Sequence, residues 1–214
     1  MTIDRLLLTS WDRAWKGAGA NGDGHSVRDD LLQRYSEPHR SYTPSGRLRA
    51  HTIQHLRECI DILSTVSSVA KQPGEIELAL WFHDAAYDQD KHNEERSADL
   101  AVDALKKANA PDDMIELVRS LILITRHTEV LASIDEMIIV DVDLAILGAN
   151  EQRFAEYEQQ IRQEYSYVPD DQFKVARQAV LNSFLNRKRI CSTDLMFDRF
   201  GKLARQNLKK ALAV

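Results

Sequence analysis

Cysteine is scarce in this chain: its 214 residues include only two, Cys59 and Cys191. They lie far apart and form no Cys-x-x-Cys pair. That excludes a disulfide framework and points to a reduced compartment. Long apolar runs are also missing, since none approaches the ~18–20 residues needed to span a bilayer. The opening segment, MTIDRLLLTSWDRAWKG, has a short leucine run, but Asp4 and Arg5 precede it and Asp12 and Arg13 follow. It lacks the basic start and small-residue cleavage site of a signal peptide. The expectation is a cytoplasmic protein without a membrane partner. Nor does one sign of charge dominate: the formal net charge is −5 and the pI is near 5.8. No global field gathers a nucleic-acid polymer. A phosphorylated substrate would therefore need a local cluster of Arg, Lys or backbone N–H groups. No repeat, low-complexity tract or dividing linker is present, so residues 1–214 read as one domain, with a core over 27–187 and a C-terminal helix over 194–212 packed on it.

What is present is helical periodicity, and the fold class it predicts is all-α. Residues 27–36 form a short amphipathic stretch. Between Thr52 and Val69, Ile53, Leu56, Ile60, Leu63 and Val66 recur at three- and four-residue spacing. Pro73 opens the helix IELALWFHDAAY, at a position where its missing N–H costs nothing. Asn93 reads as an N-cap followed by acidic first-turn residues, starting a helix through Lys107. Pro111 with Asp112 and Asp113 starts another. MIIVDVDLAILG is rich in β-branched residues, yet the chain offers no partner strands, so a buried helix is expected. Residues 150–166, 170–187 and 194–212 complete the set. Gly17–Gly24 reads as a flexible surface loop. Trp11, Trp15, Trp81, Tyr157, Tyr165 and Phe184 fall at core spacing.

Seven histidines occur in the chain, and several stand at telling positions. His51 and His55 are four apart, which places both imidazoles on one helical face; a capping or core role explains such a pair equally well. His83 and Asp84 are adjacent at the end of an apolar helix, where an unpaired carboxylate would be costly. Neighbours on a helix diverge by about 100°, so a shared ion would have to sit beside the helix. Asp141 and Asp143 alternate with valine and point roughly 200° apart on a helix, so one is free to hydrogen-bond while the other ligates. Two histidines and two carboxylates make a mixed N/O site suited to one divalent ion: Mn, Fe, Co, Ni, Zn or hydrated Mg.

The series HTIQHL, WFHDAAYD and DVDLAILG resembles the H…HD…D pattern of the HD-superfamily phosphohydrolases. YSEPHR, NEERSA, TRH, IRQEY and ARQNL extend the likeness over nearly the whole chain, to a bacterial group of predicted metal-dependent members. The resemblance implies an HD-type helical bundle that hydrolyses phosphate esters of a small, nucleotide-like metabolite. It places the metal on His55, His83, Asp84 and Asp143, with His51 and Asp141 as alternates. Asp84 would also take part in catalysis. In the related group YSEPHR runs almost directly into the first ligand; here residues 43–50 intervene.

The secondary candidates each have a plainer reading. Glu94 is a candidate catalytic carboxylate, and Glu95 beside it another, though helix-start acids are favoured by the dipole anyway. His127 is a candidate phosphate contact or second-metal ligand, and equally a histidine stabilised at a helix C-terminus. Arg40, Arg47 and Arg49 crowd the loop before the first ligand, and Arg96 and Arg126 flank later motifs; of these Arg40 is the candidate for substrate phosphate. Two rival functions are a nucleotide-sensing module without catalysis and a di-iron oxygenase drawing on His127 plus His51 or His92. Whether the chain forms a homodimer is left open by the sequence.

Overall fold

The computed structural model describes residues 4–36, 52–87 and 92–213, and among them every regular element is helical. The described chain divides into two compact units, one drawn from residues up to 36 and from 52–140, the other from 141 onward.

The first unit holds α1 (Arg5–Gly17), α2 (His25–Tyr35), α3 (Ile53–Val66), α4 (Pro73–Phe82), α5 (Asn93–Lys107) and α6 (Asp112–Leu123). It also holds the first seven residues of α7 (Ile134–Asp143). α4 is its central rod. Each residue from Ile76 to Phe82 is buried, the pattern of a helix apolar on all sides, and α1, α3, α5 and α6 pack around it. Burial of Leu78, Leu80 and Phe82 contributes about 1.5–3 kcal/mol for each side chain. The polar exception, Glu77, accepts from Arg13 of α1 in a two-pronged pair, which offsets the cost of hiding its charge.

The last turn of α4 is pinned from two sides. Trp11 stacks on Trp15 and meets Trp81 edge-on, both with ring centroids 5.1 Å apart. The Trp81 indole donates to Ser10 Oγ at 2.9 Å, and the Tyr35 hydroxyl donates to the Trp81 carbonyl at 3.3 Å. These contacts fix the backbone just before His83. The segment after α1 runs over the surface as expected, with Gly19, Asn21, Gly22 and Asp23 exposed, and is tied to its neighbours at several points. Asn21 N donates to Ala108 O at 2.7 Å, the Trp11 indole donates to Asp23 O at 3.2 Å, and Ala18 is buried. Gly24 has φ +63°, and a Cβ there would fall 2.5 Å from the Trp15 ring.

In the second unit a 3-10 turn (Leu144–Gly148) leads to α8 (Glu151–Glu164) and α9 (Asp170–Leu185). A short turn, α10 (Asp194–Met196), passes through a π-turn (Phe197–Gly201) into α11 (Lys202–Leu212). α11 packs on α9 and on the Leu144–Gly148 turn. Its Asn207 amide donates to Leu147 O at 2.8 Å and Ala149 O at 2.9 Å. Arg205 donates to the carbonyls of Leu185, Arg187 and Lys188, which the end of α9 leaves without helical donors.

Two local expectations are corrected. α5 begins at Asn93 itself, with His92 in the capping position at φ +82°, so the helix starts one residue earlier than an Asn93 cap implies. Tyr165 is 37% exposed rather than in the core, because it follows the end of α8 and stacks in the turn near Tyr167 and Phe173. Among the described residues no helix is long and apolar enough to cross a membrane.

Candidate metal centre

The His-Asp pair sits where α4 ends. His83 N still makes the helical bond to Ala79 O at 2.8 Å; then the chain tightens, with Ala85 N donating to Phe82 O at 2.8 Å. Ala86 N donates to the buried Ser97 Oγ of α5 at 2.9 Å, tying this turn to the NEERSA segment. The C-terminal end of a helix carries partial negative charge and favours a cation. Because α4 ends at Phe82, the 100° divergence of helical neighbours no longer governs His83 and Asp84. Asp84 Oδ2 lies 3.2 Å from His83 Nε2.

The tautomer of His83 follows from its other partner. Its Nδ1 is 2.8 Å from Leu80 O, and a carbonyl only accepts, so Nδ1 carries the hydrogen. A neutral ring then presents a lone pair at Nε2, the arrangement of a metal-ligating histidine oriented by a backbone carbonyl. The first turn of α3 supplies His55, whose Nε2 lies 3.4 Å from His83 Nε2 and 3.8 Å from Asp84 Oδ2. His83 is 2% exposed and His55 7%. One helical turn after His55, the buried Cys59 places Sγ 3.6 Å from its Nε2 and 3.8 Å from its Nδ1.

Asp143 ends α7 and belongs to the second unit. Within the first unit His55, Cys59 and His83 each offer one ligand atom, and these atoms all lie within 4.8 Å of one another; together they could hold a metal ion. The donor spacing fits one. Around an ion with bonds of about 2.0–2.2 Å, neighbouring N and O donors stand roughly 3.0–3.5 Å apart. The 3.2 and 3.4 Å separations at His83 Nε2 fall in that range. Convergence of lone pairs in a buried place calls for a proton or a cation among them.

Asp141 has a different task. It is fully buried and accepts from Ser192 N at 2.6 Å, Thr193 N at 2.8 Å and Thr193 Oγ1 at 2.7 Å. Burial raises its carboxyl pKa, and these hydrogen bonds partly oppose the rise. Near Asp143 lies Tyr157, left with the core aromatics by the sequence. Burial raises its phenol pKa, Arg177 opposes this, and the charges of Glu158 and Asp143 add to it. Arg177 stacks over the Tyr157 ring at 5.4 Å and pairs with Glu158.

The remaining candidates stand as follows. Glu94 is half-buried in the first turn of α5. Glu95 accepts from Arg126 at 2.7 Å; its carboxyl pKa is lowered, by a backbone hydrogen bond first and by His92 and Arg126 as well. His127 caps the 3-10 turn after α6 with φ +60° and lies outside the group of His55, Cys59 and His83. His92 is exposed and 3.4 Å from Glu95, so the di-iron reading gains no ligand from it. Arg40, Arg47, Arg49, His51 and the 43–50 insertion lie outside the described residues. Cys59 is the member of the group that sequence reasoning missed; its spacing of four from His55 was the available signal.

Comparison of the chain with protein-family models, with curated proteins and with solved structures found no match. A functional reading therefore rests on the centre itself and on the motifs that build it.

Proposed function

We propose that this chain is a metal-dependent phosphohydrolase of the HD type, acting on the phosphate ester of a small, nucleotide-like metabolite. The observation that carries the reading is that His55 Nε2 and Asp84 Oδ2 both lie at cation-sharing distance from His83 Nε2, 3.4 and 3.2 Å away; the resemblance assigns Asp143 as the further carboxylate. A divalent cation held there would acidify a water molecule and offset phosphoryl charge.

The chain's own residues do the rest. Leu80 O orients His83 through Nδ1, so that the neutral ring would offer Nε2 to the cation. Asp84, 18% exposed at its side chain, is the group assigned to accept a proton from an attacking water. Ser97 fixes the turn that carries both. Glu94 is a second candidate for proton traffic, and Arg40 and His127 are assigned to the substrate's phosphate, Arg40 because a guanidinium gives bidentate, charge-assisted bonds.

The test is turnover of a panel of phosphate esters with Mn²⁺, Co²⁺ or Ni²⁺ added to chelator-treated protein. The proposal expects metal-dependent phosphate release that Asp84→Ala abolishes. Turnover unchanged by that substitution overturns the assignment. Thermal stabilisation by a nucleotide without product moves the chain to the sensing class.

A further inference from the structure

We infer that Cys59 is a thiolate ligand of this centre, which makes the site prefer zinc-like cations (Zn²⁺, Co²⁺, Fe²⁺) over Mg²⁺ or Mn²⁺. The inference deepens the metal-dependent reading and rests on it.

The local sequence puts the sulfur there. In HLREC, Cys59 follows His55 by four positions, so both side chains leave the same face of α3. Cys59 is 1% exposed, and its Sγ is nearer to His55 Nε2, the nitrogen turned toward His83, than to Nδ1. Bonds of about 2.3 Å to sulfur and 2.0–2.1 Å to nitrogen put tetrahedral S and N donors roughly 3.5 Å apart; the separation here is 3.6 Å. The corresponding N–N separation is about 3.4 Å, the value found between the two imidazoles. With Asp84 Oδ2, 3.2 Å from His83 Nε2, the set is two nitrogens, one sulfur and one oxygen.

The chemistry of that set decides the metal. Oxygen-rich sites take Mg²⁺ and Mn²⁺, whereas thiolate and imidazole favour softer ions. When the ion binds, the S–H bond breaks, its proton passes to solvent, and the sulfur lone pair forms the metal–sulfur bond. Cys191 offers a contrast in the same chain: it lies beside Asp141, outside the group, and burial pushes its thiol pKa up to about 12.

Chelator-treated full-length protein titrated with Co²⁺ alone tests this by absorption. The expected result is visible d–d bands together with a near-ultraviolet sulfur-to-cobalt charge-transfer band. Cys59→Ser should remove the charge-transfer band and keep the d–d bands; Cys191→Ser should keep both. Loss of an outer-shell partner already costs about 10–100-fold in affinity. Loss of a ligand should therefore weaken Zn²⁺ binding by about 100-fold or more while changing Mn²⁺ binding little. Circular dichroism of Cys59→Ser and Cys59→Ala guards against misfolding, and the wild-type spectrum judges the inference even if both unfold. Bound cobalt without the charge-transfer band, or a band surviving in Cys59→Ser, overturns the thiolate assignment and leaves the metal reading standing. Absence of any cobalt spectrum overturns both.

Discussion

Asp141, one valine before Asp143, is a buried acceptor on which the second unit depends. Asp141→Ala would strip the acceptor from two backbone N–H groups and one hydroxyl, at Ser192 and Thr193. Each buried donor left unmade costs about 1–3 kcal/mol. Against this stands the relief of no longer burying a carboxyl whose pKa desolvation has raised. A net loss of about 3 kcal/mol follows, and at roughly 2–4 °C per kcal/mol for a chain of this size the melting temperature falls by about 6–12 °C. Thermal and urea unfolding followed by far-UV circular dichroism, with chelator present, gives the number. If Asp141→Ala melts with wild type, the stabilising role argued from hydrogen bonding is wrong.

Ser97→Ala removes the hydroxyl that accepts from Ala86 N and should cost about 1–3 kcal/mol of stability with metal affinity reduced as well; unchanged affinity would separate this turn from the centre. Gly148→Ala would drive a Cβ to 2.7 Å from Phe200 Cβ and its carbonyl oxygen, and overpacking of this kind costs about 1–3 kcal/mol, read as a lower urea midpoint. Cys191, buried and with its thiol pKa pushed up to about 12, stays protonated through neutral and mildly basic pH. It should resist iodoacetamide at pH 8 in the folded protein and react once urea unfolds it, where a free thiol titrates near 8.5; rapid native-state labelling would contradict its placement.

Most of the helical plan was legible because each helix buries a stripe of its own. The apolar run of α4 and the Ile53–Val66 periodicity specify helices without help from distant residues. The preference for helix over strand at MIIVDVDLAILG matches α7 and the turn that follows it. The centre was legible in part. His-Asp adjacency at the end of an apolar helix marks a costly burial, and that cost is visible in sequence. Periodicity also separates Asp141 from Asp143, but which of them hydrogen-bonds depends on Ser192 and Thr193, about fifty positions away. Cys59 was hidden for another reason: with two distant cysteines, attention falls on disulfides and Cys-x-x-Cys pairs, and the relevant neighbour was a histidine one turn earlier. Backbone conformation escaped as well. The positive φ of His92, which shifts the start of α5, and of His127 reflect how the chain must turn, and neither residue type announces it.

The central proposal is one cation held by side chains from α3 and from the turn that ends α4. Elemental analysis after equilibrium dialysis against Zn²⁺, Mn²⁺ and Co²⁺ measures this without reference to any substrate. The account predicts about one tightly held ion per wild-type chain, lost from a folded His83→Ala variant. Wild-type protein that retains no ion, or a His83→Ala variant that retains as much, would contradict it.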